Sequence, residues 1–246
     1  MHISIRGWRS HSDELSSYLH ALPEKPKLIA LNETFVNRSV SVFLPGYKIV
    51  GRRDRVTDEM NVHIDNLQSW GGILLFVSEE FDGAVVEISR STTAERLWFT
   101  VHCDAGPFLL CICYRPPAAS DISSISTLTT ELDQLREGHI GTAIVGDLNC
   151  HNSRWLRYSS CVSVEGRTLH RFSMESRLHQ LVKEPTRGDH LLDLVLSDLG
   201  DVVSTRVFSP IADHNLVFVR FGFTIQLPFI CAFGLVLSFC RLVWSY

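Results

Sequence analysis

Thr142-Ala-Ile-Val-Gly-Asp-Leu-Asn149 is the stretch from which the architecture can be read. Residues 142–146 form a mostly apolar run, the right length for one buried strand. A carboxylate, Asp147, follows at once, with Asn149 two residues on. An acid at the carboxyl end of a buried strand is held rigidly with its head in a cleft. A hard cation such as Mg²⁺ is bound in such places, by one or two carboxylates together with substrate phosphate. The same pattern recurs upstream in Lys27-Leu-Ile-Ala-Leu-Asn-Glu33, a buried strand that ends on Glu33. Downstream, Asp193 lies inside Leu191-Leu-Asp-Leu-Val-Leu196. A charge among Leu and Val costs several kcal/mol unless it is paired, and a histidine is a natural partner. Asp213-His214 stands just before one more strand.

Working outward, short apolar runs predict further strands near 3–6 and over 47–53, 73–77, 84–89, 96–103, 107–114, 202–208 and 215–222, with 192–197 around Asp193. Those between 73 and 114 read as an antiparallel meander, with Asp104-Ala-Gly-Pro107 as one of its turns. Ser10-His-Ser-Asp13 resembles a capping box, and Leu15, Tyr18, Leu19 and Leu22 follow at helical spacing up to Pro23. Helices are also predicted over 121–136 and 164–176, and a polar surface loop over 52–70. Strands joined in some places by helices and in others by hairpins imply mixed sheets, here two packed sheets flanked by helices.

The chain has 246 residues, 45% apolar and 20% charged, enough for one sizeable core. Its net charge of −4 argues against bulk-charge binding of nucleic acid, as in a histone, but leaves room for a local basic face. Basic residues do cluster with aromatics: Arg6 and Arg9 around Trp8, Arg154 and Arg157 around Trp155, and Arg52, Arg53 and Arg55 at the start of the long loop. Such mixtures suit phosphate contact and base stacking. None of the seven cysteines forms a Cys-x-x-Cys pair, and Cys111 and Cys113 share the spacing of one buried strand face. The start shows no secretory signal, so an intracellular protein is expected. No phosphate-binding loop, zinc-protease helix or serine-hydrolase elbow occurs. Residues 221–240 carry no formal charge, and the apolar tail 224–246 is set apart from a domain spanning 1–223. Three readings of this tail stand open: a membrane helix, a partner-binding helix, or an extension without function.

In order along the chain, Leu-Asn-Glu33-Thr, Gly71-Gly72-Ile, Tyr114-Arg-Pro-Pro117, Gly146-Asp-Leu-Asn149, Leu192-Asp-Leu-Val-Leu-Ser197 and Ala212-Asp-His-Asn215 resemble the landmarks of the endonuclease/exonuclease/phosphatase superfamily. Tyr-Arg-Pro-Pro117 and Glu-Pro-Thr-Arg187 are most similar to the endonuclease domain of LINE-type non-LTR retrotransposons. The resemblance implies an α/β (α+β) four-layered sandwich, with two mixed, mostly antiparallel sheets face to face and helices outside. It implies a Mg²⁺-dependent (Mn²⁺ also suitable) DNA endonuclease that frees a 3′-hydroxyl for reverse transcription. No reverse transcriptase follows in this chain, which therefore resembles a fragment of an element or a gene derived from one.

The roles it implies are specific. Glu33, Asp147 and Asp213 would hold the metal. Asp147 would orient or deprotonate water, Asn149 would position that water or bind phosphate, and Tyr114 would donate to the transition state. His214, oriented by Asp193, would either hold a phosphate oxygen as imidazolium or act as a base. Ser4, Arg6, Arg115, Asn149, Arg154 and Arg187 would contact substrate. Where the family has an Asn in its first strand, this chain has Ser4, which is shorter. Losing one such contact costs on the order of 1–3 kcal/mol, or ~10–100-fold in rate. An active enzyme would meet DNA in the nucleus. Two other functions fit the same residues: an abasic-site endonuclease or small-phosphoester phosphatase, and an impaired relic or binding module whose tail docks weakly on a membrane or a partner.

Overall fold

Residues 1–54, 70–117, 122–200 and 202–228 are described by the structure, a computed structural model. Residues 55–69 of the expected loop and 229–246 of the apolar tail lie outside them. In chain order the elements are β1 (His2–Ser4), α1 (Trp8–Ala21), β2 (Leu28–Asn32), β3 (Tyr47–Arg53), β4 (Ile73–Ser78), β5 (Val85–Arg90), β6 (Glu95–Val101), β7 (Phe108–Tyr114), α2 (Ser123–Leu135), β8 (Thr142–Asp147), α3 (Val164–Glu175), β9 (His179–Gln180), β10 (Asp193–Ser197), β11 (Val202–Ile211) and β12 (His214–Phe221).

The strands form two six-stranded sheets, ordered β11-β12-β1-β2-β4-β3 and β5-β6-β7-β8-β10-β9. Each has one parallel pair near its centre, β1 with β2 and β7 with β8, and is otherwise antiparallel. Both parallel steps cross over through a helix, α1 in one sheet and α2 in the other, because parallel neighbours cannot be joined by a tight turn. This is the expected α/β sandwich of two mixed sheets. The meander holds for β5, β6 and β7, whereas β4 leaves it and pairs with β2 and β3 in the first sheet.

Burial follows position. Every residue of β7 and β8 is buried, as central strands require, while β5 alternates buried and exposed along its edge. The larger core includes Trp98, Phe99, Leu109 and Val195 of the second sheet and Ile73, Leu75 and Val77 of the first. A second core joins Ile3, Ile29, Leu31 and Phe76 to Trp8, Leu15 and Leu19 of α1, with Trp8 stacked on Phe76 at 5.6 Å. Cys111 and Cys113 are buried and free, in keeping with a packing role. Helix α1 starts earlier than the supposed capping box: Gly7, at φ 109°, is its N-cap, so Ser10 lies inside the first turn. In α3 the cap is made by a side chain, with Ser163 Oγ accepting from Gly166 N at 3.0 Å. The chain stays on the body of the molecule past residue 223. Asp104 N donates to Thr224 O, and Gln226 N to His102 O. Among the described residues no helix is long and apolar enough to cross a membrane.

Candidate active site

The topology brings six strand ends to one rim. Ser4, Asn32, Tyr114 and Asp147 are the last residues of β1, β2, β7 and β8, and Glu33 follows Asn32 directly. Strand β10 runs antiparallel to β8, which sets Asp193 opposite Asp147. Strand β12 runs antiparallel to β1, which returns His214 to the same edge. Two local devices shape the rim. A Cβ added at Gly146 would sit 1.7 Å from the Cys113 carbonyl oxygen, so only glycine lets β8 approach β7 this closely. Glu33 has a positive φ of 51°, which turns the chain sharply out of β2. The Gly71-Gly72 pair makes room for that turn: Gly71 O accepts from Phe35 N at 2.9 Å, and a Cβ on Gly72 would meet Thr34 Oγ1 at 2.5 Å.

The side chains form one network around Asp193, His214 and Asp147 and two smaller groups beside it. Asp193 Oδ2 accepts from His214 Nδ1 at 2.7 Å, the pairing its apolar surroundings require. The other imidazole nitrogen, His214 Nε2, lies 3.9 Å from Asp147 Oδ2. Thr186 Oγ1 accepts the backbone N–H of Asp193 at 2.9 Å, and Ser4 Oγ donates to Asp193 Oδ1 at 3.3 Å. Asn32 Oδ1 accepts the backbone N–H of Asp147 at 3.0 Å. Tyr114 donates its hydroxyl to Glu33 Oε1 at 2.8 Å. Asn149 N donates to Asp147 Oδ1 at 3.2 Å, and Asn149 Nδ2 donates to the Arg115 carbonyl at 2.9 Å. Arg6 and Arg187 both donate to Asp213 Oδ2, at 2.9 and 2.7 Å.

The charges at this site act on one another. Burial, then Asp193 and Glu33, push the Asp147 carboxyl up to about 8. Burial works against the His214 imidazolium, but the hydrogen bond and charge of Asp193 outweigh it, aided by Asp147 and Asp213, and hold it at about 9. Burial likewise opposes ionisation of Asp193, yet His214 brings its pKa below the ordinary carboxylate value. The two partners shift in opposite directions, as an ion pair must. Burial and the Glu33 charge raise the Tyr114 hydroxyl well above its usual range, so it stays a donor.

Asp147 Oδ2, Asp213 Oδ1, His214 Nε2 and Asn32 Nδ2 are buried without a hydrogen-bond partner. Orphaned polar atoms are costly unless a ligand satisfies them. Asp147, Asp193 and His214 offer ligand atoms within 4.8 Å of one another. In this arrangement Asp193 and His214 already use each other, and an imidazolium repels a cation. The Asp147 oxygen left without a hydrogen bond is a hard donor of the kind that suits a Mg²⁺-like ion, whereas Asp213, whose Oδ1 is also free of hydrogen bonds, and Glu33 lie outside that close cluster. The residues present therefore fit a divalent cation.

Arg115, expected at the substrate, is instead buried and turned inward, with Nη1 on the carbonyls of Pro116 and Asn149 at 3.4 and 3.3 Å and Nη2 3.7 Å from Glu165. A guanidinium is tolerated there because an acid and two carbonyls meet it, and it braces the turn that carries Asn149. The Arg154 side chain is exposed, and its backbone N–H closes a turn on Asn152 Oδ1. His2, Asn32 and Thr186 were not foreseen. A signal existed for the first: His2 and Ser4 alternate with Ile3 and Ile5, which marks a polar face on a strand buried throughout.

No family model matches the sequence, and no curated protein does. Solved structures match in fold. The endonuclease domain of TRAS1, a telomere-specific non-LTR retrotransposon, has a TM-score of 0.65 at 17% identity, over 92% of this chain and 96% of that one. The catalytic domain of Xenopus laevis APE2 has a TM-score of 0.66 at 14% identity, over 94% and 93%. A 3′ phosphatase from Neisseria, solved with a product DNA hairpin, has a TM-score of 0.62 at 14% identity, over 89% and 97%. The strand order, the rim of acids and these likenesses agree: the chain has the endonuclease/exonuclease/phosphatase fold.

Proposed function

We propose that this protein is a divalent-metal-dependent phosphodiester hydrolase that nicks DNA, as in retrotransposon integration. The observation that carries the reading is the Asp193–His214 pair, with His214 Nε2 left unpartnered 3.9 Å from an unpartnered Asp147 oxygen. Glu33, Asp147 and Asp213 would hold Mg²⁺ or Mn²⁺, and a bound hard cation neutralises phosphate charge and the charge developing on the leaving oxygen. Asp147 takes the proton of the attacking water. The water oxygen bonds to phosphorus as the bond to the 3′ oxygen breaks, and that oxygen takes up a proton from solvent, leaving a 3′-hydroxyl and a 5′-phosphate. His214, kept as imidazolium by Asp193, donates Nε2–H to a non-bridging oxygen, which favours the phosphate-holding role over that of a base. Asn149 positions the water, and Tyr114 holds Glu33 and offers its hydroxyl to the charged transition state. Ser4 steadies Asp193, and Arg6, Arg187 and Arg154 meet backbone phosphates.

Relaxation of supercoiled plasmid tests this. Wild-type protein nicks with Mg²⁺ or Mn²⁺ and not with a chelator. Asp147→Ala and His214→Ala each lose roughly 10²-fold or more, the scale of removing a catalytic acid, base or charge stabiliser. Equal residual nicking by all three proteins would reject the assignment. A strong preference for abasic duplex, or turnover of small phosphoesters alone, would move it to the other substrates of this fold. We place the activity in the nucleus, where such DNA is met.

A further inference from the structure

The reaction assigned above makes no use of His2, a fully buried imidazole on β1. Its Nε2 lies 2.8 Å from Asn32 Oδ1. That oxygen also accepts the Asp147 backbone N–H, which fixes the amide's orientation and makes His2 Nε2 a donor. The other ring nitrogen, Nδ1, faces Asp193 Oδ1 at 3.5 Å and has no hydrogen-bond partner of its own. Asp193 Oδ2 is taken by His214. Two neighbouring strands of the first sheet, β1 and β12, thus present one imidazole to each oxygen of a single carboxylate on the second sheet.

We propose that His2 is a positioning residue. Through Asn32 it fixes the backbone at Asp147, and with it the distance from Asp147 to His214 Nε2, so one side chain of the first sheet ties the two sheets together at the rim. Ser4 cannot replace it, because its hydroxyl reaches Asp193 at 3.3 Å but makes no link to Asn32. Without the imidazole Asn32 Oδ1 keeps only the Asp147 N–H, Asp193 loses a neighbour beside Oδ1, and the gap of 3.9 Å between His214 and Asp147 is held less firmly. The part played in turnover rests on the hydrolase reading; the tie itself does not.

His2→Phe and His2→Gln, made in the full chain, separate this from simple space-filling. Phe keeps a planar ring, somewhat larger, and removes both nitrogens, whereas Gln keeps a donor for Asn32. Two measurements apply: the ¹⁵N-edited imidazole signals of His214 in metal-free protein, and kcat and KM for plasmid nicking. For Phe we expect an unchanged melting temperature, a displaced His214 signal, a kcat ~10–100-fold lower, as misplacement by about an ångström produces, and a KM within about twofold of wild type. Gln falls between. Unchanged kcat and His214 signal in both variants would overturn the proposal, as would kcat and KM falling together with the melting temperature. If wild-type protein does not nick DNA, the hydrolase reading fails, and the His214 signal alone decides whether the tie exists.

Discussion

Asp147 is fully buried, and its surroundings hold its carboxyl at about 8. An unfolded Asp titrates near 3.9, so in metal-free protein the folded state binds the extra proton between those values. Stability linked to Asp147 is therefore whole below about pH 4 and is lost as pH rises through about 8. We expect Asp147→Asn, measured with a chelator at pH 8.5, to stabilise the protein by about 2 kcal/mol, or about 4–8 °C in melting temperature. The gain shrinks towards pH 5. A drop in melting temperature at pH 8.5 would contradict the burial of this charge. His214 acts in the same sense over a higher window: its contribution is complete below about 6.5 and fades as pH passes about 9. Much at this scale was legible in the sequence. An acid among leucines demanded a partner, and Asp193 has one in His214. His2 and Asn32 were not legible, because their partners are other polar groups brought in by distant strands. The turning inward of Arg115 was equally hidden, since an arginine beside two prolines reads as surface.

Element boundaries were read well where runs of apolar residues were nearly unbroken, as in β7 and β8. They were read less well where a backbone angle decides. Gly7 starts α1 through its own conformation and leaves no side-chain mark, whereas Ser10 offered a false one. Which sheet takes β4 was also not written locally, because both of its neighbours are chosen by long-range pairing. Helix α2 is fixed to its sheet by a polar anchor rather than by leucines alone. Arg96 Nε and Nη2 reach Glu131 Oε2 and Oε1 at 2.9 Å each, and Trp98 Nε1 donates to Glu131 Oε2 at 2.8 Å. Arg96 is 1% exposed, so removing the acid leaves its charge buried with only neutral partners, among them the Ser124 carbonyl and Thr127 Oγ1. Glu131→Ala should cost ~3–5 kcal/mol in urea unfolding, the range for breaking a buried ion pair from one side. A loss under about 1 kcal/mol would mean that the pair behaves as a surface one.

Across the whole molecule the net charge is negative, yet the rim carries two largely exposed guanidinium groups. The Arg6 and Arg187 side chains are 56% and 41% exposed while sharing one oxygen of Asp213. Exposed pairs of this kind add about 0–1 kcal/mol to stability, so Arg6→Ala and Arg187→Ala should leave melting nearly unchanged. Each should instead lower the slope of log affinity for duplex DNA against log salt by about 0.9. An unaltered slope would remove that arginine from the DNA contact. The first sheet has a further consequence. Its last two strands, β11 and β12, come from late in the polypeptide, and β12 closes on β1, laid down some two hundred residues earlier. A ribosome-bound chain that has reached only β10 holds every acid of the rim except Asp213, and it lacks the imidazole that Asp193 awaits. The rim as described is therefore complete only once β12 has been made and has paired with β1.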